Sequence, residues 1–562
     1  MTAFTITFPG GKRREFQSPV TGAGLLPEFR TDGHPVYAVL VNNELYSLNR
    51  EIAVTAEVQP LTDETTEGSN VYRRTLCFIL AAAAAALYPE RKLQVGHSLG
   101  HSYYYALTAE DEKNGGGSGI DFTALDKKMR EIIAADLPIR NRFVSYREAL
   151  EIFRSNGQDD TYRLLNQLGR PRFLINSIKN FPGNPAGEFT DLYYLPLLPS
   201  TGLANIFHLM PYGKGFLLRF PPTAHPGRLE EFRDIPKLSS VYRKYRDWGR
   251  RIGVSSAGEL NDVIIRGGIK EFMEITETLQ NRHFAEIADN ICSRPDVRVV
   301  MLAGPSSSGK TTSAKKLSLQ LRVLGYEPKV ISLDNYYRGQ DSAPLGADGK
   351  PDYECLEALD VPLFNRNLLD LFDGREVEIP VYDFKTGSRK PEGFSFRMNA
   401  RTILIVEGIH GLNDNLTPNI PAERKYKVYL SALTQLTLDD HNRIPTSDNR
   451  LIRRIVRDAQ FRNKGAAGTI AMWGAVRRGE QAHIFPFQNQ ADIMLNTALD
   501  YELPVLKVYA EPLLRAVKPV EPEYAKASEL LGFLSNFMPV SSSCVPGQSI
   551  LREFIGESDF KY

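Results

Sequence analysis

The residue types that can do chemistry crowd into one stretch, from Gly304 to Arg462. Gly304-Pro-Ser-Ser-Ser-Gly309-Lys310-Thr311-Thr312 satisfies GxxxxGK[ST], directly after an apolar run at 299–303 and directly before a helical pattern over 314–324. In such a loop the glycines let the backbone wrap phosphate oxygens, while main-chain N–H groups and the helix N-terminus bind the anion. The candidate nucleotide contacts are therefore Gly304, Ser306, Ser307, Ser308, Gly309, Lys310, Thr311 and Thr312. Lys310 neutralises the β and γ phosphates, and Thr311 is placed to ligate Mg²⁺. The chemistry this predicts is phosphoryl transfer from a nucleoside triphosphate, ATP or alternatively GTP.

A metal-dependent transfer needs a second acid. Ile403-Leu404-Ile405-Val406-Glu407-Gly408 ends an apolar strand with a carboxylate, where ligands meet an open α/β sheet. Glu407 reads as that metal-side acid or, alternatively, as a helix cap. The acceptor hydroxyl must also lose a proton, which calls for a carboxylate near the γ-phosphate. Asp334, after the apolar run 330–333, is the candidate base; a turn-starting aspartate is the alternative. Tyr336 and Tyr337 beside it are expected to stack against a substrate. Arg450, Arg453, Arg454 and Arg457 recur at spacings of three to four, followed by Arg462 and Lys464. One arginine face of this kind predicts a lid over the phosphates, with a solvated face or a nucleic-acid patch as the alternatives.

A scaffold must hold these groups together. Across 291–515, apolar runs at 297–303, 329–333, 402–406, 427–430 and 505–509 are separated by helix-length segments, the pattern of a parallel α/β sheet. Residues 1–62 alternate apolar and polar between turn signals, as a small β-rich module does. Residues 63–225 read as α+β: an alanine-rich helix, a glycine-rich loop at 114–119, a helical stretch near 122–135, then strand-like sequence. Residues 226–290 read as a helical connector with apolar positions at Leu260, Val263, Ile264, Ile269, Phe272, Ile275 and Leu279. The tail at 516–562 carries no clear period.

Composition narrows the function classes. At 562 residues the chain has room for three or four domains. Lys+Arg is 68 against Asp+Glu 67, a net charge of +1, so no overall field attracts nucleic acid or an anionic membrane. The four cysteines are widely spaced with no CxxC pair, and the first residues lack a signal-peptide profile, so a cytoplasmic location is expected. The apolar run 77–87 is about half the roughly 20 residues needed to span a bilayer, and arginines flank it. It reads as a buried helix, with no membrane partner.

Taken in order, these motifs resemble the uridine kinase and phosphoribulokinase family of P-loop kinases over about 230 residues. GPSSSGKTT resembles its phosphate loop, ISLDNYY its SxDxFY segment and DYECLEALD its sugar-binding stretch. PVYDFKTGSR matches its PxYDF element, ILIVEGIH its acidic strand and RRIVRDAQFR its lid helix. The resemblance implies Asp334 as the base toward a ribose 5′-hydroxyl and Glu354 as the residue binding the ribose hydroxyls. It likewise implies Tyr337, Tyr382 and Phe384 as walls of a nucleoside pocket, and Arg454, Arg457 and Arg462 as lid arginines. At the family's base-reading histidine this chain has Gly387, and its lid-side glutamine falls near Met472. Uridine-type specificity is thereby put in question while the reaction class stands; another small alcohol or a sugar phosphate is the alternative acceptor.

The first 225 residues resemble the N-terminal part of threonyl-tRNA synthetase, a TGS-like module followed by an editing domain. The match rests on PVYAVLVNNELYSLNREI, AALYP, VGHSLGHSYYYAL and GEFTDLYYLPLLPSTG. The editing family's HxxxH pair and its later cysteine and histidine correspond here to Arg74, Phe78, Tyr193 and Leu197. None supplies the lost chemistry, so editing activity is expected to be absent although the fold persists. His97 and His101, four apart, would suit a metal on a helix, but the glycines around them favour strand or loop. The expected partner is a nucleoside acceptor. Regulation, homo-oligomerisation or ligand binding is left to the N-terminal modules. A nucleotide-sensing, tRNA-binding protein is the competing reading, and the lack of a basic stripe in 63–225 argues against it.

Overall fold

The computed structural model describes residues 3–108, 120–183, 187–339, 344–345, 349, 352–383 and 386–561. The glycine-rich loop 114–119 and Phe384 lie outside the described residues.

The first unit is a mixed sheet in the order Arg13–Phe16, Phe4–Thr7, Ala56–Thr62, Val36–Val41, Glu44–Ser47. Its alternating residues put Phe4, Ile6, Val39, Val41 and Val58 into a small core of their own. Thr65 then caps the helix Thr66–Leu87 by accepting from the Gly68 N–H. This helix is long and apolar enough to cross a membrane by length and composition, yet 67% of that window is buried within the protein. Its alanines pack into the core of a four-stranded antiparallel sheet, ordered His208–Tyr212, Gly215–Arg219, Ser102–Thr108, Lys92–Ser98. A three-stranded antiparallel sheet of Arg140–Ser145, Arg172–Lys179 and Glu188–Asp191 completes the α+β region.

The remaining large unit is a five-stranded parallel sheet, ordered Glu327–Ser332, Thr402–Glu407, Val299–Ala303, Lys425–Ser431, Ile493–Asn496. The strands Val299–Ala303, Thr402–Glu407 and Lys425–Ser431 are buried along their whole length, which is why they read as continuous apolar runs. One expected strand needs correction. The run 505–509 is not a strand: it lies in the helix Glu502–Arg515, whose Leu503, Leu506, Ala510 and Leu514 recur every three to four residues on the buried face. The edge strand is instead the short Ile493–Asn496. A brief apolar run does not distinguish the two by hydrophobicity alone.

The boundaries also shift. The helix Ile269–Cys292, assigned to a connector, places Phe272, Met273, Phe284, Ile287 and Ile291 in the same core as Val300 and Leu302. From the unassigned tail, the helix Tyr524–Leu534 and the turn Arg552–Ile555 add Leu530, Leu534, Ile550, Leu551 and Phe554 to that core. Both segments belong to the parallel-sheet unit by packing.

Candidate phosphoryl-transfer site

The phosphate loop runs from the end of Val299–Ala303 to the helix Lys310–Val323. Ser307 and Gly309 take left-handed backbone angles, φ +59° and +78°, which curl the loop. The Ser307 and Ser308 hydroxyls are buried and have no hydrogen-bond partner among the described residues. A curled loop that leads into a helix N-terminus and carries these buried hydroxyls fits a bound phosphate chain. Lys310 Nζ donates to the Pro305 carbonyl at 3.3 Å, held at the mouth of the loop.

Asp334 follows the strand Glu327–Ser332, and Glu407 ends the neighbouring strand. Ser332 and Glu407 are register partners, and the Ser332 hydroxyl donates to Glu407 Oε1 at 2.7 Å. Gly408 permits this closeness, because a Cβ there would sit 2.6 Å from Leu333 side-chain carbons. Burial pushes the Asp334 carboxyl above its ordinary value, while the charges of Lys310, Arg462 and Arg457 pull it back down. Glu407, only 6% exposed, is also pushed up by burial and further by the Asp334 charge, against Lys310 and the Ser332 hydrogen bond. Burial likewise raises Glu354 to about 7, opposed chiefly by Arg454. Asp334, Glu354, Glu407, Lys310, Arg454, Arg457 and Arg462 therefore share one electrostatic neighbourhood.

The arginine helix, Thr446–Phe461, is not a free lid. Leu451, Ile452, Ile455 and Val456 are in the core, and Arg450 and Arg453 are fully buried beside them. Arg450 pairs with Glu480 and donates to the Ser306 carbonyl at 3.0 Å; Arg453 pairs with Glu502 and donates to the Ser307 carbonyl at 3.2 Å. These two brace the phosphate loop from behind, and the regular arginine spacing reflects two faces rather than one. Arg454 Nη1 reaches the Ser306 hydroxyl at 2.7 Å. Arg454, Arg457 and Arg462 all gather on Asp458, at 3.3, 2.8 and 3.7 Å. Asp458 and Glu480 went unnoticed in the sequence; an acid inside an arginine run, and one on the following helix, were the available signals. Glu480 Oε1 also accepts the Ser306 N–H at 3.1 Å.

On the acceptor side, the Tyr337 and Tyr382 rings lie 5.6 Å apart, and burial together with the charges of Asp334 and Glu354 raises the Tyr337 phenol. Tyr336 departs from expectation: it is 1% exposed, packs edge-on against Phe364 at 4.9 Å and accepts from Asn367. It is core, because the short 3-10 turn Leu333–Tyr336 directs Tyr336 inward. Arg389, also unforeseen, holds this turn by donating to the Tyr336 and Tyr337 carbonyls at 2.9 and 3.0 Å. Gly387 lies in a turn closed by its N–H on the Asp383 carbonyl at 2.8 Å. Met472 is 42% exposed and accepts from Lys464.

The four editing-equivalent residues meet in the α+β unit. The Phe78 and Tyr193 rings are 6.0 Å apart, Leu197 is buried with them, and Arg74 Nε donates to the Pro196 carbonyl at 3.1 Å. Side chains pack the place where polar groups would be needed. His97, in a strand, is stacked between Tyr242 at 3.8 Å and Tyr104 at 5.2 Å, while His101 lies 3.6 Å from Glu230. Among the described residues no group of three His, Cys, Asp or Glu side chains is placed to hold a metal ion.

Known proteins divide along the same line. The model of the Phosphoribulokinase / Uridine kinase family matches residues 299–503. A uridine kinase of Macrococcus caseolyticus is 30% identical over 198 residues, covering 35% of this chain and 86% of that protein. A threonine–tRNA ligase of Thermotoga maritima is 32% identical over 212 residues, 36% of this chain but only 30% of the ligase. The chain thus spans less than a third of the ligase's length. Among solved structures, a D-glycerate 3-kinase from Cryptococcus neoformans aligns at 15% identity and a TM-score of 0.22, covering 45% of this chain and 87% of that one.

Proposed function

The chain belongs to the Phosphoribulokinase / Uridine kinase family, and from that premise we propose that it transfers the γ-phosphoryl group of ATP to the 5′-hydroxyl of a nucleoside. Phosphoryl transfer to a small alcohol is the reaction of a kinase of this family. The observation that supports the reading is the convergence of Asp334 with Lys310, Arg457 and Arg462 on one side and Glu407 on the other.

Each residue has a task that its surroundings allow. Asp334 accepts the proton of the attacking hydroxyl, and its raised carboxyl makes it a better base than an exposed aspartate. Lys310, Arg457 and Arg462 are fixed cations facing the charge that develops on the transferring group, and they need little reorganisation because Asp458 already holds the two arginines. Tyr337 and Tyr382 wall the acceptor pocket, and Glu354 is placed to take ribose hydroxyls. Thr311 and Glu407 would hold Mg²⁺, which supplies charge neutralisation between the donor's phosphates.

A second acceptor class is favoured by one specific feature: Gly387 offers no side chain where a base would be read, so another small alcohol or a sugar phosphate would lose nothing there. Mg-ATP-dependent ADP release against uridine, cytidine, inosine, guanosine, adenosine and ribulose 5-phosphate, with Lys310→Ala as background, separates the two. Stimulation by one nucleoside supports the first reading; a response to the sugar phosphate alone transfers the reaction to the second.

A further inference from the structure

The donor site already contains an anion of the protein's own. Glu553 Oε2 accepts both the main-chain N–H of Thr312, at 3.0 Å, and its hydroxyl, at 2.6 Å. Thr312 stands in the first turn of the helix Lys310–Val323, where main-chain N–H groups of a phosphate loop receive the donor's α and β phosphates. A carboxylate and a phosphate cannot share those two donors at hydrogen-bond distance.

The segment that delivers Glu553 is pressed against the loop. A Cβ on Gly309 would lie 2.5 Å from Ile550 Cγ2. The Arg453 guanidinium lies 5.0 Å over the Phe554 ring while its Nη1 holds the Ser307 carbonyl, so one side chain joins the segment to the loop. Lys316, about one turn further along the same helix, donates to the Gln548 carbonyl at 3.2 Å. Ile550, Leu551 and Phe554 are fully buried, whereas Glu553 itself is only partly so. The backbone is thus anchored, and the side chain is the part free to swing.

We propose that Glu553 is a built-in competitor of the donor nucleotide: its carboxylate occupies the Thr312 donors and must rotate away when a phosphate chain binds. It caps the loop in the nucleotide-free protein and sets a ceiling on donor affinity, because only the fraction with Glu553 withdrawn is competent to bind. The proposal rests on the reading of the loop as a donor-nucleotide site.

The test is Mg-ADP and Mg-ATP binding by calorimetry to the full chain and to Glu553→Gln and Glu553→Ala, with thermal midpoints recorded in parallel. The expected result is roughly tenfold tighter binding of both nucleotides in both variants, with binding of adenosine, which lacks phosphates, unchanged. Unchanged or weaker nucleotide binding in variants that melt like the wild type overturns the proposal and makes Glu553 a structural cap or a contributor to nucleotide binding. If neither wild type nor variants bind either nucleotide, the donor-site reading itself falls and takes this proposal with it.

Discussion

The Ser332 hydroxyl, two residues before the candidate base Asp334, donates to Glu407 Oε1 at 2.7 Å across two parallel strands and fixes a carboxylate that is 6% exposed. Ser332→Ala removes that donor and leaves Glu407 short of a partner in a buried place. The expected cost is about 1–3 kcal/mol of stability, measured by denaturant unfolding of the nucleotide-free protein. A loss below a few tenths would mean that water replaces the hydroxyl.

Asp334 must be ionised to accept a proton, and burial raises its carboxyl above the usual aspartate value. The pH profile of kcat/KM is therefore expected to rise with pH along an acidic limb lying above the ordinary aspartate range. Asp334→Asn is expected to lower turnover by roughly 10² to 10⁴ and to abolish that limb while the thermal midpoint holds. Retention of the limb in Asp334→Asn would assign it to another group.

Glu354 bears on stability. Its carboxyl is raised from 4.5 to about 7 by burial, so the folded state favours the protonated form. Its contribution is fully present below pH 4.5 and is lost as pH rises through about 7. Glu354→Gln is accordingly expected to melt above the wild type at pH 8, with the gap narrowing as pH falls toward 5. Thermal scans of the ligand-free pair across that range check it; a gap independent of pH would remove Glu354 as its source.

Asp458 touches neither reactant but collects Arg454, Arg457 and Arg462. Asp458→Asn is expected to lower kcat by about a hundredfold, the scale of an ångström-level misplacement, with a smaller change in acceptor KM. A fall in kcat matched by an equal fall in thermal midpoint relative to Asp458→Glu would indicate a purely structural role.

Tyr336 and Tyr337 are adjacent yet should respond differently. Tyr336→Ala empties a filled core position and is expected to cost about 3–5 kcal/mol. Tyr337→Phe removes a hydroxyl that donates to the Tyr353 carbonyl at 3.0 Å and should alter acceptor KM with little effect on unfolding. Kinetics and unfolding on both variants decide whether only Tyr337 belongs to the pocket.

Much of this site was legible because its motifs are local: strand, glycine loop and helix are contiguous from Val299 to Val323, Asp334 closely follows one strand and Glu407 ends another. What escaped was long-range. Nothing near Arg450 or Arg453 reveals that Glu480 and Glu502 will neutralise them and turn them into braces, since each pair forms only on folding. The run 505–509 misled because a buried helix and a buried strand are equally apolar over five residues. Segment 516–562 resisted assignment because its turns are short and its order comes from packing onto other elements, not from any period of its own.

The packing of Ile550, Leu551 and Phe554 beside Leu451 and Val300 bears on how the chain is made. During synthesis the N-terminal units can fold as they emerge. The parallel-sheet unit has to wait, since about 250 residues separate Val300 from the last pieces of its core. Over that interval the exposed strands present unsatisfied apolar surface, so this half of the molecule is the one that should depend on chaperones. A ribosome that stalls before residue 550 would release a chain whose first half is folded and whose phosphate loop has no finished wall.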